Sequence, residues 1–156
     1  MAEILVRKKY MEKVCPLCQN VRLEEAFPVG PSNPSDNLVY SSLASAERQI
    51  RLLRILSGSE EQPLECVLEP ASLEECQYTA LSYCWGSASD RKNIMVNGQT
   101  ISVTKNLENA LRHLRKADQE IVVWADAICI NQQDLAEKSI QVGMMGNIYS
   151  NGTSLR

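Results

Sequence analysis

The apolar positions of this chain follow two spacings, and the switches between them mark its elements. Ile121-Val-Val-Trp-Ala-Asp-Ala-Ile-Cys-Ile130 is a near-continuous apolar run interrupted by Asp126 and closed by Asn131, Gln132 and Gln133. Such a run suits a strand buried on both faces, and it predicts a strand from Ile121 to about Cys129. Tyr78-Thr-Ala-Leu-Ser-Tyr-Cys-Trp-Gly86 predicts a second apolar strand that ends in aromatics and a glycine. Further upstream, residues 45–56 read two ways. Ile50 and Leu52 alternate as in a strand, whereas Leu52, Ile55 and Leu56 fit one helical face. Gly58 and Ser59-Glu-Glu-Gln62 close this piece, and Leu64 to Leu68 is again strand-like. The preferred reading is a pair of short antiparallel strands joined by a polar turn.

The remaining elements have sharper local signals. Asn97-Gly98, inside Ile94–Val103, predicts a hairpin with a type I′ turn, because both residues tolerate positive φ. Thr104 then caps a helix whose apolar face is Leu107, Ala110, Leu111 and Leu114. Asp134-Leu-Ala-Glu137 has the spacing of a capping box. It predicts a helix to about Tyr149, with Ile140, Met144, Met145 and Ile148 toward the core. Gly143 and Gly146 fall inside that helix, where each costs up to about 1 kcal/mol against alanine; this favours close packing against a further surface.

The order strand–helix–strand–helix predicts an α/β fold built on a parallel sheet, with an antiparallel hairpin inserted between the first strand and its helix. Pro16, Pro28, Pro31 and Pro34 break any long element near the start, so residues 1–37 are expected to be a partly irregular extension and 38–156 the folded domain. Asn151-Gly-Thr-Ser-Leu-Arg156 carries no core pattern. Two parallel strands make an incomplete sheet, so the expectation is a domain whose C-terminal strands are missing.

Composition narrows the function classes. The 156 residues, 44% hydrophobic and 22% charged, carry a net charge of −3, which gives no electrostatic case for nucleic acid or an acidic membrane. No apolar run approaches the roughly 18–20 residues of a bilayer span, and the start lacks a signal peptide, so a cytoplasmic location is expected. Six cysteines invite a metal reading. Cys15-Pro-Leu-Cys18 has knuckle spacing, but zinc needs two further ligands. Cys66 and Cys76 do not form a second such pair, and the only histidine, His113, falls on a helix. Reduced thiols and no cofactor are the preferred reading.

Candidate chemistry lies at the strand ends. Tyr83, Trp85 and Gly86 close one strand, and each reads equally as core beneath a loop or as the wall of a ligand pocket. Asp126 would be costly buried unless hydrogen-bonded or functional. It is expected to accept backbone N–H groups from the following loop, the alternative being a ribose hydroxyl held at the C-terminal strand ends. Asn131 and Gln132 join it as a hydrogen-bonded cluster that shapes the loop. Nucleophilic catalysis by Cys84 or Cys129 is disfavoured, because His113 is the sole histidine and nothing pairs it with either thiol. Arg112, Arg115 and Lys116 read as a solvated helix end.

Ordered blocks then bring in a family. Ala80-Leu-Ser-Tyr-Cys-Trp-Gly86, Asn106-Leu-Glu-Asn-Ala-Leu-Arg-His-Leu-Arg115, Trp124-Ala-Asp-Ala-Ile-Cys-Ile-Asn-Gln132 and Gln141-Val-Gly-Met-Met-Gly-Asn-Ile-Tyr149 together resemble the fungal heterokaryon incompatibility (HET) domain. The resemblance covers roughly residues 48–151. It implies a cytosolic signalling and interaction module in fungal self/non-self recognition that triggers programmed cell death. HET domains are distantly similar to Toll/interleukin-1 receptor (TIR) domains, which implies a TIR-like, flavodoxin-like arrangement. By that similarity Gln133, Asp134 and Glu137 lie in an association loop, Asn131–Glu137, through which the chain forms homo- or hetero-oligomers with other proteins of the pathway. Some TIR domains cleave NAD with a glutamate on a later helix, and that position falls beyond the end of this chain. An NAD glycohydrolase is thus the alternative, and the preferred reading assigns no enzymatic activity. The family pattern continues after Tyr149 into an alanine and an apolar strand with a Trp-Leu-Gly-like motif, which Asn151–Arg156 does not match.

Overall fold

The computed structural model describes residues 39–45, 48–81, 83 and 87–154. Its organising strand is β1 (Gln49–Ile55), and Ile50, Arg51, Leu52, Leu53 and Ile55 are all buried. Burial on both faces explains why this segment satisfies neither a clean alternation nor a clean helical period. The polar turn after it reverses the chain into β2 (Glu65–Ser72), antiparallel to β1 from Gln49↔Ser72 to Ile55↔Cys66. β2 therefore runs past Leu68, through Pro70. β4 flanks β2 only at Glu65 and Cys66, so the missing N–H of Pro70 removes no bond on that side.

The chain continues as β3 (Thr79–Ala80), the hairpin β4 (Arg91–Val96) and β5 (Gln99–Thr104), α1 (Lys105–Leu114), β6 (Ile121–Trp124), α2 (Asp126–Cys129), α3 (Leu135–Asn151) and β7 (Thr153–Ser154). All seven strands form one sheet in the order β5-β4-β2-β1-β6-β3-β7. The sheet is mixed. The expected parallel pair exists as β3 and β6, and β7 extends it in parallel. β1, however, pairs antiparallel with both β2 and β6 and so occupies the middle. The antiparallel pairing of β1 with β2 across the polar turn is as expected, but the expected parallel core is corrected, because this hairpin supplies the central strand and makes the sheet mixed.

The local predictions at the hairpin and at α1 hold. Asn97 and Gly98 have φ of 51° and 75°. The Asn97 side chain also accepts from the Leu68 N–H at 2.9 Å and donates to the Leu68 carbonyl at 3.0 Å, which fastens the hairpin to β2. The hairpin thus joins the sheet edge. Thr104 caps α1 by accepting the Leu107 N–H, Leu107 and Leu111 are fully buried, and His113 is exposed. The cationic end of α1 is more than a solvated terminus: Arg112 donates to the Glu60 carbonyl at 3.0 Å and Arg115 to the Pro63 carbonyl at 2.9 Å, so both hold the β1–β2 turn.

Four expectations are corrected. The strand from Ile121 stops at Trp124, because Asp126–Cys129 forms a helical turn whose Ile128 and Cys129 N–H groups bond the Ala125 carbonyl. A fully buried helical turn is as apolar as a buried strand, so periodicity does not separate them. The strand expected over Tyr78–Gly86 is regular only at Thr79–Ala80; Ser82, Cys84, Trp85 and Gly86 lie outside the described residues. Ile140 is 37% exposed, whereas Met144, Met145 and Ile148 are buried. The helix turns its buried face through Glu137 and Gln141, two polar residues with partners on and around β1, and Ile140 falls outside that face. Finally, Thr153–Ser154 is a strand although its composition shows no core pattern; it runs beside β3 after a close approach at Gly152. A Cβ there would lie 2.7 Å from Tyr78 Cε2 and 3.0 Å from Ala80 Cβ.

Candidate functional site

The site is the passage from β6 through α2 and the Asn131–Glu137 loop into α3. Asp126 opens α2, and its Oδ1 accepts the Ala127 N–H at 2.8 Å. An acid in the first turn of a helix meets N–H groups that have no partner within the helix, and Asp126 takes one of them. The carboxylate thus takes an N–H within α2, from the adjacent residue, where the sequence predicts N–H groups of the following loop. Gln132 returns to the same turn, its Nε2 donating to the Asp126 carbonyl at 3.0 Å. Asn131 Oδ1 accepts the Gln133 N–H at 3.1 Å and closes the bend.

The capping box at the start of α3 is half made. Asp134 Oδ1 accepts the Glu137 N–H at 3.1 Å. The Glu137 carboxylate does not return to the Asp134 N–H. Its Oε1 instead accepts the Asn131 N–H at 3.1 Å, and both oxygens take the guanidinium of Arg51 on β1: Oε1 from Nη1, and Oε2 from Nη2 at 3.0 Å. Arg51 is 2% exposed and Glu137 8%. Two charges so deeply buried must be mutually paired and further hydrogen-bonded, and they are. Arg51 also donates from Nε and Nη2 to the Ser41 carbonyl, at 3.2 and 2.6 Å. The Tyr40 ring lies over the guanidinium at 5.0 Å, and its hydroxyl donates to the Ile128 carbonyl at 2.7 Å.

Glu137 is thus withdrawn from the surface, which corrects its expected place on an association face. The exposed part of the loop is Gln133, Asp134, Leu135 and Ala136. Leu135 is 73% exposed, and with Ile140 it makes up the exposed large apolar side chains among the described residues.

Behind the loop lies an aromatic cluster. Trp124 meets Tyr149 edge to face at 5.5 Å, and the Tyr149 hydroxyl donates to the Leu81 carbonyl at 3.4 Å. Among the described residues, the buried Tyr83 hydroxyl, Trp124 Nε1 and Gln132 Oε1 have no hydrogen-bond partner. Burial pushes the Tyr83 hydroxyl well above the usual phenol range, and the negative charge of Asp126 adds to it. Burial also holds the Cys129 thiol up at about 12, so it is not the thiolate that nucleophilic chemistry needs. Tyr83, three residues past β3, feels the charge of Asp126, two residues past β6, and Gln132 bonds the Asp126 carbonyl; Trp85 and Gly86 lie outside the described residues.

The disfavoured zinc alternative at Cys15 and Cys18 also falls outside them. Among the described residues no group of three or more His, Cys, Asp or Glu side chains is placed to hold a metal ion, and no helix is long and apolar enough to cross a membrane. Arg51, Tyr40 and Leu135 were missed from the sequence. Arg51 carries a usable signal: a charge set among Ile50, Leu52 and Leu53 is as anomalous as Asp126 in its own apolar run.

The family model described as heterokaryon incompatibility protein (HET) matches residues 78–155, from the start of β3 to β7. The chain is 34% identical over 128 residues to heterokaryon incompatibility protein 6, OR allele, of Neurospora crassa. That alignment covers 71% of this chain and 19% of the relative, so the chain spans a small part of the relative's length. No solved structure matches.

Proposed function

This chain belongs to the heterokaryon incompatibility (HET) family, and on that premise we propose that it is an association module of fungal self/non-self recognition, whose surface is the Asn131–Glu137 loop and the start of α3. Assembly through this surface commits the cell to the death response of incompatibility. The observation that carries the reading is Leu135. Leu135, the first residue of α3, is 73% exposed, and each square ångström it buries against a partner is favourable by about 25 cal/mol. The loop beneath it is firmly built, so it presents Leu135 without a large ordering cost on binding. Partners are a second copy of the chain or other proteins of the incompatibility pathway, and the site of action is the cytoplasm. The TIR-like arrangement belongs to the same reading and is supported by the parallel β6-β3-β7 portion of the sheet.

Analytical ultracentrifugation tests it. The protein sediments as a concentration-dependent oligomer, and Leu135→Asp shifts it to monomer while leaving its circular dichroism unchanged. Equal sedimentation of the two proteins would refute the assignment of the surface.

A second reading is NAD cleavage at the strand ends, favoured by the Tyr83 hydroxyl, which has no hydrogen-bond partner among the described residues and feels the Asp126 charge. Under it, incubation with NAD releases nicotinamide, and Tyr83→Phe abolishes the release; no release from the intact protein removes this reading.

A further inference from the structure

The loop and the chain ahead of β1 are held by the same side chain. Arg51 uses four of its N–H donors: two on the Ser41 carbonyl and two on the Glu137 carboxylate. A guanidinium is rigid and planar, so its two sets of partners cannot shift independently. Its open face is covered by the Tyr40 ring at 5.0 Å. Glu137 in turn holds the Asn131 N–H at 3.1 Å. Tyr40 and Ser41 are thereby linked to Asn131 through one charged pair, across some ninety residues of sequence (Arg51 to Glu137 alone is 86).

We infer that Arg51 is the positioning residue of the Asn131–Glu137 loop, coupling its conformation to the chain at Tyr40 and Ser41. Displacing Tyr40–Ser41 withdraws partners from Arg51 and leaves the buried pair incompletely satisfied. The pair then relaxes at its other end, where Glu137 releases Asn131. The loop that carries Leu135 is in this way responsive to whatever moves the chain before β1. Coupling of this kind is reciprocal, so a change at Glu137 is felt at Tyr40. The inference stands apart from the association reading, since it concerns what sets the loop and is tested by exchange and cleavage, not by sedimentation.

The experiment is amide hydrogen exchange of the full chain, followed by NMR, for wild type, Tyr40→Leu and Tyr40→Phe. Tyr40→Leu removes both the ring over Arg51 and the hydroxyl on Ile128; Tyr40→Phe removes only the hydroxyl. The expected result is at least tenfold faster exchange of the Asn131 N–H in Tyr40→Leu, a near-normal rate in Tyr40→Phe, and no change at Met95 and Val103 in the distant hairpin. The inference is overturned if Asn131 is unaffected by Tyr40→Leu. It is overturned equally if Tyr40→Phe has the whole effect, which routes the link through Ile128, or if the hairpin amides accelerate by the same factor, which marks plain loss of stability. The reciprocal test is chymotrypsin cleavage after Tyr40 in Glu137→Gln. Cleavage at least tenfold faster there than in wild type, with cleavage after the core residue Trp124 unchanged, supports the coupling; equal acceleration at both sites, or none after Tyr40, overturns it.

Discussion

Replacing Arg51 by methionine leaves the Glu137 carboxylate, 8% exposed, with the Asn131 N–H as its remaining partner from this network. It also strips the Ser41 carbonyl of two donors. Removing one partner of a buried ion pair costs about 3–5 kcal/mol, because the other charge is left buried without compensation. A domain of this size is stable by roughly 5–15 kcal/mol, so Arg51→Met folds but loses a large share of that margin. With a urea slope of about 1.5 kcal/mol/M, the midpoint falls by roughly 2–3 M. The double variant Arg51→Met, Glu137→Leu should recover most of the loss, since a neutral packed pair avoids the desolvation cost of both charges. It remains up to about 2 kcal/mol short of wild type, because the Ser41 carbonyl and the Asn131 N–H stay unpaired. Equilibrium urea unfolding at pH 7, followed by tryptophan fluorescence and far-ultraviolet circular dichroism, measures all three proteins. Two results would refute the reasoning: a loss below about 1 kcal/mol in Arg51→Met, as for a solvated surface pair, or a double variant no more stable than Arg51→Met alone.

Other predictions address separate parts of the fold. Gly152→Ala places a methyl 2.7 Å from the Tyr78 ring, which is tethered by its hydroxyl to the Ile148 carbonyl, so it destabilises by about 1–3 kcal/mol and lowers the melting temperature; an unchanged melting temperature contradicts the close approach of β7 to β3. Burial raises the Cys66 and Cys129 thiols from the ordinary 9.0 to about 12, so both are protonated in the fold when the unfolded chain has begun to ionise. Their contribution is complete below pH 9 and is lost as pH rises toward 12, by about 1.4 kcal/mol per pH unit for each thiol; urea midpoints that stay flat from pH 8 to 11 would exclude it. Asn97→Ala removes two side-chain bonds to Leu68 and puts a residue with a Cβ and no compensating hydrogen bond at φ 51°, so the loss is about 1–2 kcal/mol, and Asn97→Gly recovers the part due to backbone strain.

The sequence by itself determined what depends on neighbours in the chain. The Asn97-Gly98 turn, the Thr104 cap, the face of α1 and the Asp134 cap are each set by a few adjacent residues, whose backbone preferences need no distant partner. The parallel pairing of β3 with β6 was also legible, from two apolar runs separated by a helix. The tertiary structure alone decided the rest. Whether Asp126–Cys129 continued the strand or turned into a helix rested on packing, because both solutions bury the same apolar side chains. β1 became the sheet's centre because strands from both sides pair with it, and Thr153–Ser154 became a strand because an edge was open beside β3. Capping-box spacing marked Glu137 as a residue for the helix terminus; it went to Arg51, 86 positions away, because a buried guanidinium needs a full negative charge and the Asp134 N–H does not. Local rules name the groups that must be satisfied, and only the assembled fold names the partner.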